Sequence, residues 1–436
     1  MNTNPNKGSF LVEGKTKRIF AVEGDDSHII IESKADITAY DDPSLTKQFD
    51  KKSIYATNTT CRVFELLAQA GIPVSYIRQL SPTEFLARKC RMLPLELVVR
   101  RLADGSYLKR SPQYKRADGL MRFHSLMTEF FLKTTSGTAR DMNGKMIVQG
   151  LSAKKKEEDP LILDPRNEKW TLVHSKIPMW ESGSVLRENI ISPIHGLASI
   201  DTLEELMKKV FLLLEGAWNV LGYRLIDLKI EVGLDSDGNL LVADVIDNDS
   251  WRLRTQSGEE LSKESFRQGE SLDEVEAKYG RVSDLVNRFR VPRQCLVIWK
   301  GSEKDSFDVP TVYKDLGVDI VEVTASGHKE TVKCLSTLER LLGKYPDGGA
   351  IIVKVGLSNG LGPILAAHSS WPVISIPATY DKFPDDIWSS MRMPSKLPMA
   401  TVTRDSNAVD FAGKILAAKN PLVYAFQQLE LEKLDP

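Results

Sequence analysis

Carboxylates gather on both sides of one turn in this chain. Asp227-Leu228-Lys229-Ile230-Glu231 precedes it and Asp244-Val245-Ile246-Asp247-Asn248-Asp249-Ser250-Trp251-Arg252 follows it. The turn itself reads Asp235-Ser236-Asp237-Gly238-Asn239. Both arms are rich in Leu, Ile and Val, and the turn holds residues that tolerate positive φ, so the spacing predicts a β-hairpin. Alternate residues of a strand share a face. That puts Asp227, Lys229 and Glu231 on one side and Leu228, Ile230 and Val232 on the other. In the matching register Asp244 joins the acidic face; a slip of one residue sends it to the apolar face. Carboxylates around one lysine are costly unless a cation holds them together. Mg²⁺ takes such hard oxygen ligands and shares them with substrate phosphates. A solvated sheet face with a Lys–Glu ladder is the other reading of the same pattern.

Cationic residues elsewhere suit phosphates. Glu13-Gly14-Lys15-Thr16-Lys17 sits in a strand-like stretch over residues 11–22. Gly14 lets a ligand approach the backbone, and Lys15 and Lys17 alternate onto one face. The same residues also fit a solvated edge strand guarded by lysines. Arg88-Lys89 leads on to Arg100-Arg101 and then to Gly105-Ser106. A strand delivering arginines into a Gly-Ser turn can hold a phosphate or carboxylate bidentately.

Past residue 294, three loops of small residues each follow a strand-like run. They are Lys300-Gly301-Ser302-Glu303-Lys304-Asp305, Thr324-Ala325-Ser326-Gly327-His328-Lys329 and Gly356-Leu357-Ser358-Asn359-Gly360-Leu361-Gly362-Pro363. Loops beyond the carboxyl ends of parallel strands are where such sheets bind ligands, and helix-opening N–H groups there suit anions. His328 is the histidine these loops contain, and imidazole trades a proton near neutral pH. A helix-capping or surface histidine is the alternative.

The elements that must position these groups change character near residue 290. Before it, strands are expected over residues 11–22, 27–33 and 95–102, with helices over 51–70 and 202–221. This irregular mixture reads as α+β. Residues 132–195 read as an extended insertion, and 271–288 as a charged linker helix. After residue 294, apolar runs at 295–299, 318–324, 349–355 and 373–376 alternate with helix-length segments. That rhythm predicts an α/β doubly wound parallel sheet.

With 436 residues the chain has room for two or three domains, and 42% hydrophobic and 27% charged residues fit a soluble globular protein. A net charge of −1 gives no electrostatic case for nucleic acid or an anionic membrane. No apolar run is long enough for a bilayer, and the first residues are too polar for a signal peptide. Cys61, Cys90, Cys295 and Cys334 lack CxxC spacing and read as reduced thiols of a cytoplasmic protein.

Taken together, the first set of motifs resembles the SAICAR synthetase family over about residues 8–265. The elements that carry the resemblance are Glu13-Gly14-Lys15-Thr16-Lys17, Ile37-Thr38-Ala39, Met92-Leu93-Pro94-Leu95-Glu96, the Arg100 to Arg110 region with Gly105-Ser106, Asp159-Pro160 and the two acidic arms. The resemblance implies an ATP-grasp or kinase-like fold. It also implies a ligase that joins L-aspartate to carboxyaminoimidazole ribonucleotide (CAIR) and releases ADP and phosphate. By the same resemblance, Lys15, Lys17, Arg88 or Lys89, and Lys229 bind ATP, with Lys229 also catalytic. Glu231 and Asp244 hold Mg²⁺. Arg100, Ser106, Asp249 and Arg252 bind the ribonucleotide or aspartate. The chain departs from the family at Tyr40, where glycine is usual, and at Thr134-Thr135, where an acidic pair is usual.

The later loops resemble the class II AIR carboxylase family over about residues 294–425. Gly301-Ser302, Ser326-Gly327-His328-Lys329, Ser358-Asn359-Gly360-Leu361-Gly362-Pro363, Pro372-Val373-Ile374-Ser375 and Asp386-Ile387-Trp388-Ser389-Ser390 carry it. It implies a flavodoxin-like domain that adds CO₂ to aminoimidazole ribonucleotide (AIR) without biotin or ATP. His328 is then the base. Gly301, Ser302, Asp305, Ser326, Lys329, Ser358, Asn359 and Gly360 bind the ribonucleotide and CO₂. Departures are Glu303-Lys304, Gly327 and Leu357, the last where arginine is usual.

The two resemblances name consecutive steps of purine biosynthesis. They imply a synthetase domain over residues 1–265, a linker helix over 266–293 and a carboxylase domain over 294–436, assembled as a homo-octamer through the carboxylase. The expected partners are small molecules alone. Two rival readings stand beside this one: an active synthetase with a carboxylase-derived scaffold, and a diverged nucleotide-binding protein.

Overall fold

A computed structural model describes residues 5–38, 46–48, 51–151 and 159–434. Ala39-Tyr40-Asp41 and the charged run over residues 154–158 lie outside the described residues. Contacts divide the chain into Met1–Phe289 and Arg290–Asp435.

The first unit is built on two sheets. One is antiparallel, in the order Lys7–Glu13, Lys17–Val22, Asp25–Ser33, Glu84–Arg88, Tyr76–Ser81. The stretch expected as one strand over residues 11–22 is a hairpin. Gly14 N–H donates to Lys17 C=O at 2.9 Å, so Gly14, Lys15 and Thr16 form its turn. Lys15 and Lys17 therefore do not share one strand face: Lys15 is exposed in the turn and Lys17 opens the return strand. Helix Lys52–Gln69 packs on this sheet and against helix Leu272–Val286. The latter, expected as a linker, is part of the first unit's packing.

The second sheet of this unit has nine strands. Its centre is the long strand Tyr223–Leu234, which pairs with Leu95–Leu102, Leu240–Ala243, Trp251–Thr255 and Arg91–Met92. Much of the expected insertion extends this sheet: Leu161–Leu163, Lys169–Val173 and Val185–Ile191 add strands beyond Arg122–Leu132. Helix Ile200–Val220 covers one face. Ser199 caps it by accepting from Thr202 N–H at 3.1 Å, and Gly222 ends it with φ 82°. Leu203, Met207, Val210, Phe211, Leu214 and Trp218 recur at helical spacing and are buried.

Adjacent arginines on Leu95–Leu102 point to opposite faces, as the pleat requires. Arg101 turns to the helix and forms a bidentate ion pair with Glu215 at 2.8 Å and 2.8 Å. Arg100 turns to the opposite face, with Asp227, Lys229 and Glu231.

The Arg290–Asp435 unit is a five-stranded parallel sheet ordered Val318–Thr324, Gln294–Lys300, Gly349–Val355, Val373–Pro377, Ala400–Thr401. In sequence terms this is 2-1-3-4-5, the flavodoxin-like order. Its inner strands, Gln294–Lys300, Gly349–Val355 and Val373–Pro377, are apolar on both faces because both are covered. Cys295, Val297, Trp299, Ile351 and Val353 pack with Leu338, Leu341 and Leu365. The alternate residues Leu296, Ile298, Ile352, Ile374 and Ile376 pack with Ala408, Ala412 and Leu416. Register pairs Lys300 with Thr324 and Lys354, and Val355 with Pro377, so the strand ends line up and deliver their loops to one edge. All four cysteines are free, and among the described residues no helix is long and apolar enough to cross a membrane.

Candidate functional site

The acidic hairpin forms, but in the slipped register. Glu231 pairs with Ala243, which would set Asp244 opposite Ile230 on the apolar face. The ladder stops at Ala243, and Asp244 takes φ 65°. That left-handed residue turns the chain, and the Asp244 carboxylate meets the Lys17 ammonium. The expected partnership of Asp244 with the cluster thus arises from a backbone turn and not from strand alternation.

Around it the cluster is cationic and anionic in near balance. Lys229 Nζ lies 2.6 Å from Glu96 Oε1 and 3.8 Å from Glu231 Oε1. Lys133, just past strand Arg122–Leu132, pairs with Glu231. Burial pushes the Glu231 carboxyl up, but Lys133, Lys229 and Lys17 outweigh it and hold the group below the usual range. Asp159 goes the other way. Burial and Glu96 push it up to about 7, although Thr134 donates to it through N–H at 2.6 Å and Oγ1 at 3.0 Å. Among the described residues no group of three or more His, Cys, Asp or Glu side chains could hold a metal ion. Glu231 and Asp244 both lie against Lys17, and carboxylate oxygens are the hard donors that a Mg²⁺ shared with phosphates takes.

A second cluster continues along the same face. Arg100 donates to Glu129 at 2.7 Å, Asp227 at 2.7 Å and Ser106 Oγ at 3.1 Å, and its side chain is 3% exposed. Arg252 shares Asp227 at 2.6 Å. Gly105 has φ 59°, a conformation that L side chains rarely adopt, and a Cβ there would meet the Arg252 guanidinium. The structure therefore brings Arg100, Ser106 and Arg252 together around Asp227. Asp249 is held by other partners, among them Lys263 at 3.1 Å. Arg88 and Lys89 are exposed at the end of strand Glu84–Arg88. Arg88 helps hold Asp235 of the hairpin turn below its usual pKa, behind the turn's own hydrogen bonds. Among the described residues no bond places either residue in the lysine–carboxylate cluster.

Sequence reasoning gave no role to Lys133, Glu96, Lys52, Lys263 or Tyr279. Glu96 lay inside a motif already singled out, and Lys133 precedes Thr134-Thr135. The other three had no signal, because they meet Asp249 only in the fold.

In the Arg290–Asp435 unit the three loops come together as the strand ends require. A Cβ on Gly360 would overlap the His328 ring, and one on Gly327 would lie 2.6 Å from the Leu361 backbone. Two glycines thus let the second and third loops dock, with exposed His328 lying over Gly360. Ser302, Lys329 and Ser358 are exposed; Gly301, Asp305 and Ser326 are half-buried. Ser326 N–H donates to Glu330 at 2.9 Å. Burial pushes the Asp305 carboxyl up, against the Ser302 backbone bond, Lys354 and Lys300. Asn359 turns inward. It donates to Ser375 Oγ at 2.8 Å and Ser390 Oγ at 3.0 Å and accepts from Gly362 N–H at 2.9 Å. Its side chain anchors the loop from behind. Leu357 has φ 61° and is 67% exposed, with its N–H bound to Thr379 Oγ1 at 3.2 Å.

A lysine–carboxylate cluster on an antiparallel sheet, fused to a flavodoxin-like sheet with loops gathered at its strand ends, defines a two-site enzyme. The SAICAR synthetase family model matches residues 10–161 and 184–285, and the AIR carboxylase model matches residues 296–432. The chain belongs to the family in which these two domains are fused. It is 33% identical to the probable multifunctional protein ADE2 of Caenorhabditis elegans over 97% of this chain and 93% of that one. It is 30% identical to the bifunctional phosphoribosylaminoimidazole carboxylase/phosphoribosylaminoimidazole succinocarboxamide synthetase of Rattus norvegicus over 99% of this chain and 94% of the relative. The phosphoribosylaminoimidazole-succinocarboxamide synthase of Chloroflexus aurantiacus is 34% identical over 65% of this chain and 97% of its own length.

Proposed function

We propose that the chain carboxylates AIR to CAIR in its C-terminal unit and ligates CAIR to L-aspartate with ATP in its N-terminal unit. The observation that carries the ligase half is the convergence of Lys17, Lys133 and Lys229, from three separate parts of the chain, on Glu231 and Asp244. A carboxylate is a poor acyl donor. The γ-phosphoryl group therefore passes to the CAIR carboxylate, the aspartate amine attacks the acyl carbon, and phosphate leaves. Positioning and charge neutralisation are most of what this demands. The three lysines neutralise the phosphates as they are drawn from their carboxylates. Mg²⁺ held by Glu231 and Asp244 would screen the phosphate charge. Ser106 and Arg252 face the anionic groups of the substrates, with Arg100 and Asp227 bracing them.

In the second unit CO₂ adds to the electron-rich imidazole carbon, and His328 takes the proton that carbon releases. This route needs no biotin. Ser302, Asp305, Lys329 and Ser358 surround the ribonucleotide. We read the chain as a cytoplasmic homo-octamer assembled through this unit, in keeping with the exposed Trp388 and Met391.

Product analysis by mass spectrometry tests the reading. The full chain receives Mg²⁺, ATP and aspartate with either CAIR or AIR plus bicarbonate, beside a no-enzyme control for spontaneous carboxylation. Succinocarboxamide product from both is expected, and His328→Ala should lose only the enzyme-dependent step from AIR. Product from CAIR alone would leave a ligase with a scaffold domain; none from either would remove the ligase assignment.

A further inference from the structure

Tyr279 lies on helix Leu272–Val286, which Ser271 and Glu274 start with a reciprocal capping box. Its ring is buried with Phe266, Val275, Leu272 and Tyr55. Its hydroxyl donates to Asp249 Oδ1 at 2.5 Å. Lys263 Nζ donates to Asp249 Oδ2 at 3.1 Å, and Lys52 Nζ, on helix Lys52–Gln69, lies 3.7 Å from the same oxygen. Three groups from three parts of the fold fix one carboxylate.

Burial would push Asp249 up, but Lys263, Lys52 and the Tyr279 hydroxyl outweigh it and hold the acid below its usual range. An ionised carboxylate has about four acceptor positions, so these neighbours leave room for one more donor. The Asp249 side chain keeps 15% exposure, through which a ligand group can reach it. The segment that holds Asp249 also reaches the arginine cluster. Glu264, next in sequence to Lys263, lies 3.7 Å from Arg252, which in turn shares Asp227 with Arg100.

We propose that Tyr279 and Lys52 are positioning residues of the ligase reaction. They hold Asp249 so that it accepts a hydrogen bond from a hydroxyl or amine of the imidazole ribonucleotide, while the arginines meet its anionic groups. This rests on the ligase reading above. It makes the helix after the acidic hairpin a working part of the ligase site.

Steady-state kinetics on the full chain, with CAIR, ATP and aspartate varied in turn, tests the proposal. Tyr279→Phe removes one hydroxyl and keeps the buried ring. It should raise KM for CAIR roughly tenfold, as expected for losing a hydrogen bond to a charged group. The values of kcat and of KM for ATP should stay within about twofold. Asp249→Asn should raise the same KM further, and adding Tyr279→Phe to it should then change nothing more, the mark of residues acting as a unit. Val275→Ala, in the same buried cluster, controls for structure: it should lower the melting temperature and leave KM for CAIR alone. Additive effects, an unchanged KM for CAIR in Tyr279→Phe, or a rise confined to ATP or aspartate would overturn the proposal while leaving the ligase assignment intact. A wild-type chain that ligates nothing would overturn both.

Discussion

Gly360 shows how little room the proposed carboxylase site leaves. A methyl group there would overlap the His328 ring and displace it. Misplacing a catalytic group by about an ångström can cost roughly a hundredfold in rate, so Gly360→Ala should lower AIR carboxylation by about that factor. Ligation from supplied CAIR should be unaffected, and parallel assays of the two steps check this. Asp247 offers a test by pH. Burial and neighbouring Asp249 push it up to about 6 from an ordinary 3.8, against Lys52 and Lys263. An acid whose folded pKa is raised favours folding in its protonated form. Its contribution is complete below about pH 4 and is lost as pH rises through 6. Asp247→Asn should therefore be more stable than the parent by about 1–3 kcal/mol at pH 7, with the gap closing towards pH 4. Chemical denaturation at the two pH values measures it.

At the scale of elements, the Arg101–Glu215 pair locks helix Ile200–Val220 to the nine-stranded sheet. Both side chains are almost fully buried. Removing one partner leaves an uncompensated charge inside, which costs about 3–5 kcal/mol. Glu215→Ala should lose that much in denaturant unfolding, and Glu215→Gln somewhat less. The same strand shows what could be read beforehand and what could not. Leu95–Leu102 announced itself by a run of apolar and β-branched residues, and the parallel strands at Val318–Thr324 and Gly349–Val355 did so by strand-length apolar runs between helix-length segments. Local pattern suffices where burial alone decides an element. It failed at Gly14-Lys15-Thr16, where a tight turn broke what looked like one strand, and at Asp244, where one positive φ outweighed pleat parity. Site residues divided in the same way. Glu231, Lys229 and His328 stood in motifs; Tyr279, Lys52 and Lys263 meet Asp249 from separate segments of the chain, and no local pattern encodes that meeting.

At the scale of the whole molecule, each unit has its own core and its own cluster of candidate catalytic groups. Exposed Leu357, Phe383, Trp388 and Met391, at 67%, 53%, 45% and 55%, belong to the Arg290–Asp435 unit. Apolar side chains of this size in one unit suit burial between copies. Sedimentation velocity of the purified chain should show a single assembly of about eight subunits. A monomer at 48.8 kDa would rule the octamer out.

The left-handed turn at Asp244 also has a genetic consequence. A backbone at φ 65° is comfortable for glycine, asparagine and aspartate and strained for most other residues. Of these three, only aspartate brings an anion for Lys17. A saturation library at codon 244 should therefore sort differently under two selections. Screening for soluble expression should retain Gly and Asn beside Asp, whereas growth of a purine auxotroph should retain Asp alone.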